Sequence, residues 1–225
     1  MRPAETRAMR GVVELRAKDS RTIGGYALKF NTMSQNLGGF VETIDPAALR
    51  KSEGDGWPGV MARWNHEDAY LLGTTDAQTL RLVVDGTGLD YEVDTPESRA
   101  DLLELVARGD VRRSSFAFRT ISDEWGLTPD GFPLRTLINI QLVDVAPVNT
   151  PAYMDTSSGL RSLAEFKEAD LEEVRALAEA GELGRLFTRS DAPTPPPTDP
   201  PTDGAGETTP RSGTETLRLR LGLSK

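Results

Sequence analysis

The chain contains no cysteine, and His66 is its only histidine among 225 residues. The first absence excludes a cysteine nucleophile, a disulfide framework and any thiolate metal site. The second leaves one imidazole for general-base work. A zinc site would have to be assembled from His66 and carboxylates alone, an uncommon ligand set, so no metal or other cofactor is expected. Long apolar runs are also missing: no stretch of about eighteen apolar residues occurs, which excludes a membrane-spanning helix. The opening segment lacks the continuous apolar core of a signal peptide, which predicts a soluble chain in the cytoplasm where it is made. Positive charge is scarce, with 26 Lys and Arg against 35 Asp and Glu, a net charge of -9 and a pI near 4.8. Phosphate binding depends on clustered cations that release counterions, so nucleic acid is not the expected partner and protein is.

What is present up to about residue 155 is a series of short strands punctuated by Gly, Pro and Asp, which predicts one β-rich α+β domain over 1–160. "GVVELRA" (11–17) and "TIGGYALKF" (22–30) read as paired strands. "TLRLVVDGTGLDYEVD" (79–94) sets Asp85 and Gly86 between alternating runs, a hairpin signal. "RSSFAFRTISDEW" (113–125) and "LRTLINIQLVDVAPV" (134–148) read as two further strands joined by the turn-rich "GLTPDGFP". One helix interrupts them: "TPESRADLLELVARGD" offers Thr95 as N-cap, Pro96 at the first helical position, an apolar face of Leu102, Leu103, Leu105 and Val106, and Gly109 as the stop. A helical segment is expected over 161–187, in two pieces, because Asp170 followed by Glu173 can form a capping box. Residues 188–216 hold seven of the fifteen prolines and no aromatic residue, the composition of a disordered linker. The terminal "TLRLRLGLSK" alternates Leu217, Leu219 and Leu221 with Arg218 and Arg220. It reads as a docking peptide over 217–225 or as a frayed terminus.

Serine hydrolysis needs a hydroxyl, an imidazole beside it, a group that orients the imidazole, and donors for the oxyanion. By residue type alone His66 is more often a core or surface histidine. Its neighbours Asn65, Glu67 and Asp68 make a polar setting that weakens the buried-core reading. In "RRSSFAF" strand alternation sends Ser115 and Ala117 to the face opposite Phe116 and Phe118. Asp144 interrupts an otherwise apolar strand, so it either faces solvent at an edge or is held by a partner such as an imidazolium or an Arg.

The stretches "GGYALKFNTMSQNLGGFVETIDPAAL", "ARWNHEDAYLLGTT", "LRLVVDGTGLDYEVDTPESRADLLELVARGDVRRSSFAF" and "LVDVAPVNTPAY" resemble, in order and spacing, the prohead proteases of tailed bacteriophages, over roughly residues 11–162. The resemblance implies a serine peptidase with a β-barrel akin to that of herpesvirus capsid assembly proteases, with flanking helices. It implies cleavage of the major capsid protein or scaffold protein inside the immature capsid in the host cytoplasm, and it carries over dimerisation from the herpesvirus relatives. The histidine of the family's "NH" motif falls on His66, the serine of its "SFGF" motif on Ser115, and the acid of its third motif on Asp144, with Pro151, Ala152 and Tyr153 closing the match. Glu42 and Asp68 remain alternatives for the acid. Arg112 and Arg113 are oxyanion candidates by the same resemblance, or surface charges. Arg113 and Ala117 stand where the family has glycines, and Ala146 where it has a serine. Two other readings compete with the capsid-maturation protease: a non-enzymatic assembly factor of the same fold, and a β-domain binding module carrying a tethered peptide.

Overall fold

The computed structural model describes residues 3–8, 16–17, 21–149 and 157–188. Among these described residues, ten strands and five α-helices make a mixed, strand-rich α+β architecture with two sheets. The strands are β1 (Glu5–Ala8), β2 (Arg16–Ala17), β3 (Thr22–Lys29), β4 (Val41–Ile44), β5 (Met61–Arg63), β6 (Leu71–Thr74), β7 (Leu80–Val84), β8 (Gly88–Asp94), β9 (Arg113–Leu127) and β10 (Pro133–Val148). The helices are α1 (Arg50–Gly54), α2 (Ala100–Ala107), α3 (Ser157–Lys167), α4 (Leu171–Glu179) and α5 (Arg185–Thr188). Residues 11–15 of the first expected strand, the closing Pro151, Ala152 and Tyr153, the linker beyond Thr188 and the docking peptide lie outside the described residues. No described helix is long and apolar enough to cross a membrane.

A six-stranded sheet runs β1-β9-β10-β5-β6, with β4 also on β10, and a four-stranded sheet runs β2-β3-β8-β7. The long hairpin β9–β10 is the spine of the larger sheet. Along one edge of β10, β4 pairs in parallel with Leu134–Leu137 and β5 with Asp144–Val145. In the gap between them α1 substitutes for a strand. The Ser52 hydroxyl donates to the Ile140 carbonyl at 3.0 Å and accepts from the Leu142 N–H at 3.2 Å, so backbone groups that would otherwise be buried unpaired are satisfied.

The sheets meet through side chains: Ile23, Leu28, Leu89, Tyr91 and Val93 from the smaller pack against Phe116, Phe118, Ile140, Leu142 and Val145 from the larger. Among the described residues no ladder joins β6 to β7, and two sheets rather than the expected closed barrel are found. A second apolar cluster forms where Leu160 and Leu163 of α3 and Val174 of α4 cover Phe40 and Trp125. The expected capping by Asp170 is present, its side chain accepting from the Glu172 and Glu173 N–H groups. Thr95 does not cap α2. Its hydroxyl donates to the Arg21 carbonyl at 2.7 Å, the chain makes a 3-10 turn over Glu97–Arg99, and the α-helix starts at Ala100.

Between the two apolar clusters lies a buried ionic network. Arg135, with zero exposure, donates to Glu5 at 2.7 Å, Glu42 at 2.9 Å and Asp123 at 2.6 Å. Arg7 joins Glu42 at 2.9 Å and Glu5 at 2.7 Å, and the Ser162 hydroxyl of α3 donates to Asp123 at 2.6 Å. Burial pushes the Glu5 carboxyl up, but the hydrogen bond and charge of Arg135, with the charge of Arg7, outweigh it and hold the group below its ordinary value of 4.5. Arg135→Met leaves three buried carboxylates short of a partner and is expected to cost roughly 3–5 kcal/mol in urea unfolding at neutral pH. A group with a depressed folded value stabilises fully above its unfolded value and loses that contribution as pH falls. The gap between wild type and Arg135→Met therefore narrows below pH 4.5, and a constant gap contradicts the network.

Candidate active site

His66 sits in a tight turn after β5. Trp64 buries its ring in the core, and Asn65 and His66 follow with φ of 53° and 62°. Asn tolerates the left-handed region, while for His it is a strained conformation that neighbours must enforce. The Glu67 N–H donates to the Trp64 carbonyl at 3.0 Å, and the Asn65 side-chain oxygen accepts from the Asn149 N–H at 3.1 Å, just past the end of β10. The turn is thereby tied to the strand that carries the acid.

Asp144 reaches the imidazole because of a bulge. Leu142 pairs with Phe118, yet Asp144 pairs with Ala117, so Val143 is an extra residue in β10. Without it, alternation would set Asp144 opposite Phe116, inside the apolar core. With it, Val145 stays on the core side opposite Phe116, and Asp144 and Ala146 share a face with Ala117 and Ser115. On β9, Ser114 turns inward, where its hydroxyl bonds the Tyr91 hydroxyl at 3.1 Å, and Ser115 turns outward to His66.

The three groups form one row. His66 Nδ1 lies 2.6 Å from Asp144 Oδ1 and Nε2 lies 2.7 Å from Ser115 Oγ. A carboxylate only accepts, so Nδ1 carries the ring proton and Nε2 presents its lone pair to the hydroxyl. Asp144 and Ser115 have no exposure, and the imidazole is the partly exposed member. The Ser115 hydroxyl has a second acceptor, the Arg7 carbonyl of β1 at 2.8 Å, and with one proton it satisfies one acceptor at a time.

Arg63 completes the surroundings of Asp144: its Nε donates to Oδ2 at 2.6 Å, its Nη2 bonds the same oxygen, and its Nη1 bonds Asp68. Burial works against the guanidinium charge, but the Asp144 carboxylate beside it prevails and raises its proton affinity. The sequence reading did not single out Arg63. Its one signal was its place in "ARWNH", two residues before the strained Asn65–His66 pair. The alternative acids are elsewhere: Glu42 belongs to the ionic network and Asp68 is an exposed partner of Arg63. Arg112 and Arg113 are exposed at the start of β9 and make no hydrogen bond to the row among the described residues. Ala117 and Ala146 are the cross-strand neighbours of Asp144 and Ser115.

No curated protein and no solved structure matches the chain. The family model described as caudovirus prohead serine protease matches residues 11–169, a span that includes His66, Ser115 and Asp144. With well over half its length matched in this way, the chain belongs to the caudovirus prohead serine protease family.

Proposed function

We propose that the chain is a capsid-maturation serine endopeptidase with Ser115 as nucleophile, His66 as general base and Asp144 as the orienting acid. It acts on the capsid or scaffold protein inside the prohead and on its own tail. The observation that carries this reading is the unbroken hydrogen-bonded row from Asp144 through both ring nitrogens of the only imidazole to a serine hydroxyl. Family membership supports the reaction class and the setting.

Ser115 Oγ attacks the scissile carbonyl while its proton passes to His66 Nε2, and Asp144 stabilises the imidazolium that forms. The proton then goes to the leaving amine, an acyl ester remains on Ser115, and water activated by the same imidazole hydrolyses it. Arg112 and Arg113, three and two residues before the nucleophile, are the side chains proposed to meet the oxyanion, directly or through a water. The Arg7 carbonyl competes with Nε2 for the single Ser115 proton, so the hydroxyl has to be turned toward His66 when it attacks.

The tail supplies a substrate by its composition. A Pro-rich segment between Phe187 and Arg211 can enter a cleft without unfolding anything, and a docked 217–225 peptide would raise the local concentration of enzyme at the shell lining.

Co-expression with the major capsid protein of the same genome, read by intact mass, tests this. Ser115→Ala and His66→Gln are expected to abolish shortening of the capsid protein, and Asp144→Asn to slow it about 10⁴-fold, the loss seen when an orienting acid becomes an amide. Shortening that survives Ser115→Ala means another nucleophile. Shells that form only in this chain's presence, with neither polypeptide shortened, mean a non-enzymatic assembly factor. In mature particles the chain itself is expected to end between Phe187 and Arg211, and an intact carboxyl terminus there contradicts self-cleavage.

A further inference from the structure

Arg63 bonds directly to a member of the row yet takes no part in the proton transfer. It lies on β5, which pairs with β10 at Met61–Asp144 and Ala62–Val145, so its backbone is fixed against the strand that bears the acid. Its side chain is 13% exposed, and its fork meets Asp144 with two donors on Oδ2, leaving Oδ1 to His66 Nδ1. A carboxylate rotates broadly about its last bond, so a pinned Oδ2 determines where Oδ1 points. A carboxylate at zero exposure needs a cation, and whenever the imidazole is in the neutral form that a general base requires, Arg63 is the cation among the described hydrogen-bond partners of Asp144.

We propose that Arg63 is the positioning residue of this site: it clamps Asp144 Oδ2 so that Oδ1 stays on the imidazole, and it is the countercharge of Asp144 while His66 is neutral. The inference rests on the serine-protease reading above, in which Arg63 touches neither substrate nor the attacking oxygen and acts through Asp144.

Two readouts on the full-length chain test it. Since His66 is the only histidine, its Nδ1–H gives a single far-downfield proton resonance that reports the contact with Asp144. The burst of p-nitrophenolate from p-nitrophenyl acetate reports acylation. Arg63→Ala is expected to move or abolish the resonance and to slow acylation about 100-fold, the scale of a small misplacement of a catalytic group. Arg63→Lys keeps a charge and one donor and is expected to restore at least a tenth of the rate. Methylguanidinium added to Arg63→Ala is expected to restore part of it. Acylation by Arg63→Ala within about twofold of wild type, with the resonance in place, overturns the proposal. A loss that neither Lys nor methylguanidinium relieves, accompanied by a lower melting temperature, overturns it in favour of a role in folding alone. A Ser115→Ala chain that acylates as fast as wild type sinks the protease reading instead, and the resonance still reports on Arg63.

Discussion

An ionised carboxylate without solvent exposure, set in the middle of an apolar strand, is the constraint around which the site is built. Asp144 has to be compensated on the spot or the strand cannot bury it. Three local features serve that end, and each is costly alone. Val143 interrupts the ladder of β10, Asn65 and His66 take up left-handed backbone, and Arg63 is largely withdrawn from water. They are tolerated because each fixes another: the bulge turns the acid outward, the strained turn brings the ring onto it, and the arginine on the adjoining strand holds the far oxygen. Chemistry follows from the same arrangement, since a ring held at Nδ1 has its Nε2 lone pair committed to Ser115.

The opposite face of the same strands carries the second group of buried charges. Arg7 connects the two faces: its guanidinium bonds Glu42 and Glu5 in the network around Arg135, while its carbonyl lies within hydrogen-bonding reach of the Ser115 hydroxyl. The position of β1 therefore bears on both the network and the Ser115 hydroxyl. The network of three carboxylates and two guanidinium groups adds ties to that strand beyond its four residues of ladder.

Legibility in the sequence divided along physical lines. Local signals were readable: the Asp85 hairpin, the Asp170 cap and the alternation that separates Ser115 from Phe116 and Phe118 each depend on neighbours a few residues apart. Bulges were not. The core residues of β10 are Leu137, Ile140, Leu142 and Val145, spaced three, two and three apart, where strict alternation would have placed Ile138 inside. The short strands β1 and β4 escaped notice because three of their four buried positions are Glu5, Arg7 and Glu42, which read as surface residues until their partners across the fold are known, and Ile44 alone makes no pattern. Arg63 escaped for the same reason, since its partner Asp144 lies 81 residues away. The early start expected for α2 is not seen, because Pro96 is still extended and a 3-10 turn over Glu97–Arg99 intervenes, while Thr95 is tied by its hydroxyl and N–H to the Arg21 carbonyl.

The whole account stands on acyl transfer through Ser115 with His66 as its base. The direct measurement is peptide mapping of the full-length chain after treatment with a fluorophosphonate, which forms a stable ester with an activated serine. A single adduct on Ser115 that disappears in His66→Gln is the predicted result. An adduct on another serine, or undiminished modification of Ser115 without the imidazole, would contradict it.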